Sequence, residues 1–285
     1  MLKLKNVKSC FTPNSIQEAI DIHKKSGGKA VFVGGGLDIT VFPNPAIEQL
    51  IFLDKLGLTY IRDDAGNIKI GATSTITDIA KAPVMQNYLK GKVKIALTEL
   101  ASELLRNQIT MGGSIARHHF YSDIIPALYA LKAKIMVSDG ELVEEFFVDD
   151  FYRNDLKVLM ETHIVVGVHL SKYDDSFQFG SKRFVRNATD IALLNMVILA
   201  QIEEDIIKDV SISVGSRPGP AYRFEQGEAF LRGKKLTKEL AEDFESFTKS
   251  NVDVTKDMHL CKEYRQHIAS IYAKEMLLDF IGGVR

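Results

Sequence analysis

The spacing of apolar residues changes period several times along the chain, and the changes outline three sections. Near the start, Ile16, Ala19, Ile20 and His23 share one face at helical spacing. Thr12 stands where it could cap this helix, with Pro13 at the first position, and Gly27 and Gly28 stand where it should end. Lys29–Val33 and Leu50–Asp54 are short apolar runs of strand length. Residues 1–55 therefore read as a small β/α section.

Residues 56–172 read as mixed helix and strand. Ile68–Ile70 is a strand entering Gly71, and Thr75–Asp78 resembles a capping arrangement with Asp in place of the usual Glu. The pattern predicts a helix over about Val93–Leu105, a glycine-bearing loop at Thr110–Ser114, a helix over Ile124–Leu131, and strands at Ala133–Val137 and Ile164–Leu170. In residues 173–285, Val210–Val214 alternates as a half-buried strand and Ser216–Pro220 is a turn-rich break. Helices are expected over Thr237–Lys249 and Cys261–Phe280. The fold class is α+β.

Composition narrows the function. Hydrophobic residues make up 46% of 285, enough for a substantial core. The net charge of −1, with both signs well mixed, gives no reason to expect a nucleic-acid or membrane-surface partner. The longest apolar stretch, Ile191–Ile202, is interrupted by Asn195 and Gln201, so no membrane span is expected. No apolar segment of signal-peptide type lies between Met1 and Cys10. Cys10 and Cys261 are the only cysteines; two isolated thiols suit a reducing, cytoplasmic setting and cannot supply four thiolates to an iron–sulfur cluster.

Two glycine segments could carry chemistry. Val33-Gly-Gly-Gly-Leu-Asp38 follows a strand, and glycines there would let a diphosphate approach backbone amides. This is neither a dinucleotide fingerprint, since Ile39 stands where the third glycine belongs, nor a Walker A loop. A plain turn is the bland alternative. Asn107–Ser114 offers a second segment, with hydroxyls at Thr110 and Ser114. Two such segments, converging, would suit a long anionic ligand such as a flavin dinucleotide. His118–His119 has no ligand partner at a usual metal spacing, and Gly113-Ser114-Ile115 lacks the flanking pattern of a hydrolase nucleophile.

The order of these segments resembles the medium, FAD-binding subunit of the xanthine dehydrogenase and carbon monoxide dehydrogenase family of molybdenum hydroxylases. The likeness covers nearly the whole chain. Phe11–Ile20 is similar to that family's opening P-x-S-x-x-E-A helix, and Gly34–Asp38 to its A-G-G-T-D loop. Ile68–Thr73 resembles its I-G-A-x-T strand. Leu105–Asn107 with Thr110–Ser114 resembles its I-R-N and T-I-G-G-N run, followed by Asp123, Pro126, Ala127 and Leu128 in a D-x-x-P-A-L stretch. Lys182–Ala192 is similar to its K-x-x-x-R-x-x-x-D-I-A segment, and Lys262–Arg265 to its closing Y-R helix. Three positions depart: Gly34 where Ala is usual, Leu37 where Thr is usual, and Ser114 where Asn is common.

The resemblance implies two N-terminal subdomains holding FAD in the vanillyl-alcohol oxidase type of fold, at 1–55 and 56–172, and a C-terminal domain of a small sheet and helices at 173–285. It puts the cofactor on Val31, Phe32, Val33, Gly34, Gly35, Gly36, Leu37, Asp38 and Ile39, and on Thr110, Met111, Gly112, Gly113 and Ser114. Asp123 would accept a hydrogen bond from the flavin nucleotide, Lys182 would lie near the flavin, and Ile164 and Val165 would offer backbone contacts. No catalytic acid, base or metal ligand is implied. The implied partners are an iron–sulfur subunit and a molybdenum-cofactor subunit, with NAD or another acceptor taking electrons from the flavin. The organic substrate would be oxidised on another chain; Arg186–Ala192 looks closest to xanthine dehydrogenase-type members, which suggests a purine. Two rival readings are a self-sufficient flavin oxidase of the same fold and a non-catalytic assembly subunit without FAD.

Overall fold

The computed structural model describes residues 4–216 and 218–283, in two compact units. The first takes Met1–Val84, Ser102–Arg117 and Ala133–Ser171, and the second Met85–Ala101, His118–Lys132 and Lys172–Arg285.

In the first unit, β1 (Ser9–Phe11), β2 (Ala30–Val33) and β3 (Gln49–Phe52) form a parallel sheet in the order β1-β3-β2. Parallel strands need a crossover, and the helix Ile16–Lys25 makes one between β1 and β2. Its inner face, Ala19 and Ile20, closes on Ala30, Ile51, Leu53 and Ile164. The helix begins three residues later than a Thr12 cap would have it. Ser15 Oγ accepts from the Glu18 amide, and the Glu18 carboxylate accepts from the Asn14 amide. This reciprocal arrangement satisfies two otherwise orphaned donors, which a Thr12–Pro13 start would leave open.

The same unit holds a five-stranded antiparallel sheet of β4 (Ile61–Asp64), β5 (Asn67–Gly71), β6 (Lys134–Ser138), β7 (Val143–Phe147) and β8 (Ile164–Ser171), ordered β4-β5-β8-β6-β7. Ile68, Ile70, Ile135, Val137 and Val168 are among its buried residues. After β5 the chain turns into the helix Ile76–Lys81 through a full capping box, in which Thr75 and Asp78 satisfy each other's amides. Asp does the work of the usual Glu.

One expected helix is two. Lys92–Glu99 is helical, Leu100 is extended, and Ala101 has φ +48°. A new helix, Glu103–Arg106, then starts on a Ser102 cap. The interruption falls where the chain passes from the second unit to the first.

The second unit is built on an antiparallel sheet of β9 (Phe177–Phe184), β10 (Leu194–Glu203), β11 (Ile206–Ser216) and β12 (Tyr222–Arg223), ordered β12-β11-β10-β9. β10 is buried on both faces, which is why its sequence runs apolar without alternating. The helix Ile124–Ala130 is tied to β11 by Ser213 Oγ donating to Pro126 O at 2.6 Å. The helices Lys238–Asn251 and Lys262–Gly283 complete a core containing Met196, Ile198, Phe244, Met276 and Phe280. The expected break at 216–220 includes Arg217, which lies outside the described residues, as do Met1–Lys3 of the N-terminal segment.

Arg265, on the last helix, is fully buried. Its Nη1 donates to Leu193 O and to Ser216 Oγ, and its Nη2 lies 2.6 Å from Asp257 Oδ1. Burial works against the Asp257 charge, yet Arg265 and the amides of His259 and Leu260 hold its pKa down to about 2. A carboxylate depressed on folding stabilises the fold above its ordinary titration range and loses that contribution as pH falls through the folded value. Wild-type stability should therefore drop between about pH 4 and pH 2. Asp257→Asn should flatten that acid limb and cost on the order of 3 kcal/mol at neutral pH, because Arg265 loses its counter-charge. Denaturant titrations of both proteins across this range check the expectation.

Candidate functional site

The first unit brings the two glycine segments into contact. Gly34, Gly35 and Gly36 leave the end of β2 and enter the short helix Leu37–Val41. Gly36 has φ +74°, a left-handed conformation that glycine adopts without strain. Opposite it runs the chain from Gln108 to Thr110. A Cβ at Gly35 would overlap the carbonyl oxygen of Gln108, and one at Gly34 would lie 2.8 Å from Thr110 Oγ1. The glycines are thus needed first for one backbone to reach the other.

The second segment is no loop: residues Met111–Arg117 form a helix. Its start is tied back to the chain after β5. Thr75 and Thr110 form a β-bridge, the Ile76 amide donates to Ile109 O, the Met111 amide to Ser74 O and the Gly112 amide to Ala72 O. With those carbonyls as acceptors, the chain begins helical turns where the glycines had suggested an irregular loop. Gly112 is buried with Ala72 where its Cβ would be. Thr110 Oγ1 accepts from the Gly113 amide at 3.2 Å, and Ser114 Oγ donates to Thr110 O at 2.9 Å. Both hydroxyls singled out in the sequence are therefore engaged within the helix start.

The amides of Gly34, Gly35 and Gly36 differ. Among the described residues they have no protein acceptor. Three consecutive N–H groups, carried by residues without side chains and with Gly35 exposed, suit an anion. A dinucleotide's diphosphate fits that chemistry.

The other expected residues of this unit frame the cradle. Val33 is buried, and Val31 and Phe32 are half-buried, with the Phe32 ring stacked on His23 at 4.6 Å. Burial lowers the His23 pKa against the opposing pull of Glu161. Leu37, Asp38 and Ile39 are half-buried on the short helix. Ile164 and Val165 are buried in β8, beyond the point where the β5 ladder ends at Gly71–Gly167. The Ile164 side chain belongs to the core under the three-stranded sheet.

Asp123 and Lys182 belong to the second unit, where each has protein partners. Asp123 Oδ1 accepts from Asn195 Nδ2 at 2.9 Å, and Oδ2 from Arg183 Nη2 at 3.3 Å. Burial raises the Asp123 pKa, while Arg183 and Asn195 pull it down. Arg183 also donates to the carbonyls of Glu99, Ala188 and Asp190, so this group ties several segments of the unit together. Lys182 Nζ pairs with Glu275 at 3.1 Å and lies 4.0 Å from Asp279, both on the last helix.

The sequence includes Gln108 and Ala72 in its candidate segments without marking their backbone roles, and it does not mark Arg117. Arg117 Nε lies 2.7 Å from Asp38 Oδ2 and joins the far ends of the two segments. Reading 111–117 as a helix would have exposed it as a basic residue in a last turn.

Comparison with known proteins identifies the family. The family described as FAD binding domain in molybdopterin dehydrogenase matches residues 5–172, over half the chain. The CO dehydrogenase flavoprotein C-terminal domain matches residues 181–280. The nicotine 6-hydroxylase medium subunit of Paenarthrobacter nicotinovorans is 22% identical over 272 residues, covering 94% of this chain and 95% of that one. The glyceraldehyde dehydrogenase medium chain of Sulfolobus acidocaldarius is 24% identical over 268 residues, covering 90% and 92%. Among solved structures, carbon monoxide dehydrogenase from Hydrogenophaga pseudoflava superposes with a TM-score of 0.87 at 22% identity, over 97% of this chain and 98% of that one. The α+β fold expected from the sequence, an FAD domain followed by a C-terminal domain, is the fold of that flavoprotein. The protein belongs to the FAD-binding flavoprotein subunits of the molybdopterin dehydrogenases, and it is an oxidoreductase subunit with FAD as cofactor.

Proposed function

We propose that the chain holds the FAD diphosphate on the amides of Gly34, Gly35 and Gly36 and serves as the electron-relay subunit of a molybdenum hydroxylase complex. The observation that carries this reading is the run of three unaccepted amides where the two glycine segments meet. Val31–Val33 and Leu37–Ile39 flank the diphosphate, while Thr110, Met111, Gly112, Gly113 and Ser114 back the cradle. Ile164 and Val165 offer backbone contacts to another part of the cofactor. Asp123 and Lys182 contribute mainly by ordering their own unit, through Arg183, Asn195 and Glu275.

When bound, the flavin supplies a centre that exchanges both single electrons and electron pairs. The chain's own residues bind and orient it, and none of them needs to move a substrate proton. Two cysteines fall short of the four thiolates of a cysteine-ligated cluster, and the clusters that deliver electrons sit on a partner chain, with the molybdenum cofactor on another. NAD is the proposed acceptor and a purine such as xanthine the proposed organic substrate, oxidised away from this chain. The setting is cytoplasmic: Cys10 and Cys261 are free and exposed, and among the described residues no helix is long and apolar enough to cross a membrane.

Gly35→Ala should separate the two segments, costing about 1–3 kcal/mol of stability and most of the bound FAD. Gly282→Ala, which meets open space, should change neither. Absorbance of the purified chains at flavin wavelengths reads the outcome, and full FAD in a destabilised Gly35→Ala would remove the cradle from this position. Co-expressed with its iron–sulfur and molybdenum subunits, the chain should show flavin bleaching on anaerobic addition of xanthine and recovery on addition of NAD. Bleaching by xanthine in the isolated chain would overturn the relay role. In the complex, a flavin that stays oxidised with xanthine removes the purine assignment, and one that NAD cannot reoxidise removes the acceptor.

A further inference from the structure

Charge balance at the cradle is incomplete with amides alone. A diphosphate brings two negative charges, and Asp38 adds a carboxylate two residues after Gly36. Like charges this close oppose binding unless a cation stands with them. The side chains that could have assisted are absent or turned inward: Leu37 carries no hydroxyl, and Ser114 Oγ donates to Thr110 O. Arg117 is in the right place. It ends the helix that starts against Gly34, and its Nε is held 2.7 Å from Asp38 Oδ2. Asp38 meets the guanidinium through Nε, and the Arg117 side chain is 52% exposed, which leaves guanidinium surface within reach of a ligand.

We infer that Arg117 is the cation that binds the FAD diphosphate, fixed by Asp38 so that its two Nη groups face the phosphate oxygens beside the Gly34–Gly36 amides. The inference rests on the proposed cradle and adds to it a charged ligand outside both glycine segments. Arg suits the task because its planar fork can pair with a carboxylate on one edge and a phosphate on another. Asp38 is a positioning residue: it does not bind the cofactor but fixes the guanidinium where it is needed.

The test uses the full chain stripped of FAD and titrated with FAD, and separately with riboflavin, which lacks the phosphates. Arg117→Gln should weaken FAD binding about 10- to 100-fold, the range expected for a lost charge-assisted hydrogen bond. It should also flatten the salt dependence of FAD binding while leaving riboflavin binding unchanged. Arg117→Lys, which keeps the charge but not the fork, should fall between Gln and wild type. Inorganic pyrophosphate should compete with FAD for wild type and far less for Arg117→Gln. Unchanged FAD affinity and salt dependence in Arg117→Gln would overturn the assignment, as would equal losses for FAD and riboflavin, which mark a fold clasp. If Arg117→Gln is poorly folded, Arg117→Lys decides alone: wild-type salt dependence with a selective FAD loss supports the fork, and no selective loss overturns it. Wild type that binds neither FAD nor pyrophosphate would instead refute the cradle itself, a separate failure.

Discussion

The close approach of Gly35 to the Gln108 carbonyl is the constraint from which the first unit's functional surface follows. No side chain fits there, so the end of β2 and the chain before the Met111–Arg117 helix lie in direct backbone contact. The Gln108 carbonyl stands where a Gly35 Cβ would be, and among the described residues the amides of Gly34–Gly36 have no protein acceptor. Glycine's missing Cβ has two uses within three residues: chain-to-chain approach at Gly35, and a left-handed turn at Gly36. The anchoring of Thr110–Gly112 to Ala72, Ser74 and Thr75 then fixes the opposing segment against the five-stranded sheet.

The second unit uses arginines where the first uses glycines. Arg183 gathers the Asp123 carboxylate and three carbonyls, and Arg265 gathers a carbonyl, a hydroxyl and the Asp257 carboxylate. A guanidinium has five donors in a fixed plane, so it can satisfy loop carbonyls that no strand partner reaches. Glu228 plays the complementary acidic role, accepting from the Ile212 amide and from Arg223. These groups fix irregular segments within a unit whose core is otherwise aliphatic and aromatic.

Much of this was legible in the residues. The apolar runs Lys29–Val33, Ile68–Ile70 and Ile164–Leu170 fall on strands, and the periodic stretches Thr237–Lys249 and Cys261–Phe280 fall on the last two helices. The starts and stops were less so. Thr12 was a plausible cap, but the Ser15–Glu18 reciprocal pair has the stronger claim because it satisfies two amides. The helix start at Met111 was hidden by its glycines, which read as a loop until the acceptors at Ala72 and Ser74 are known. Those acceptors come from a distant segment, and no local pattern announces them. For the same reason the Asp38–Arg117 pair, and the partners of Asp123, could not be inferred from spacing.

The threading of the chain bears on how the protein is made. Each unit is assembled from three separate stretches, so neither is a continuous stretch of sequence. The helix Ile124–Ala130, which receives the Ser213 hydroxyl, is synthesised well before β11 exists to donate it. A ribosome that has reached Ser171 has made everything the first unit contains, but it also carries two orphaned helical stretches, 85–101 and 118–132, with apolar faces whose sheet is still to come. Contacts of such long sequence separation slow folding and lengthen the exposure of sticky surfaces. Nascent chains of this protein should therefore lean on chaperones chiefly while β9–β11 are emerging, and a break at residue 172 would separate a sheet from the helix that covers it.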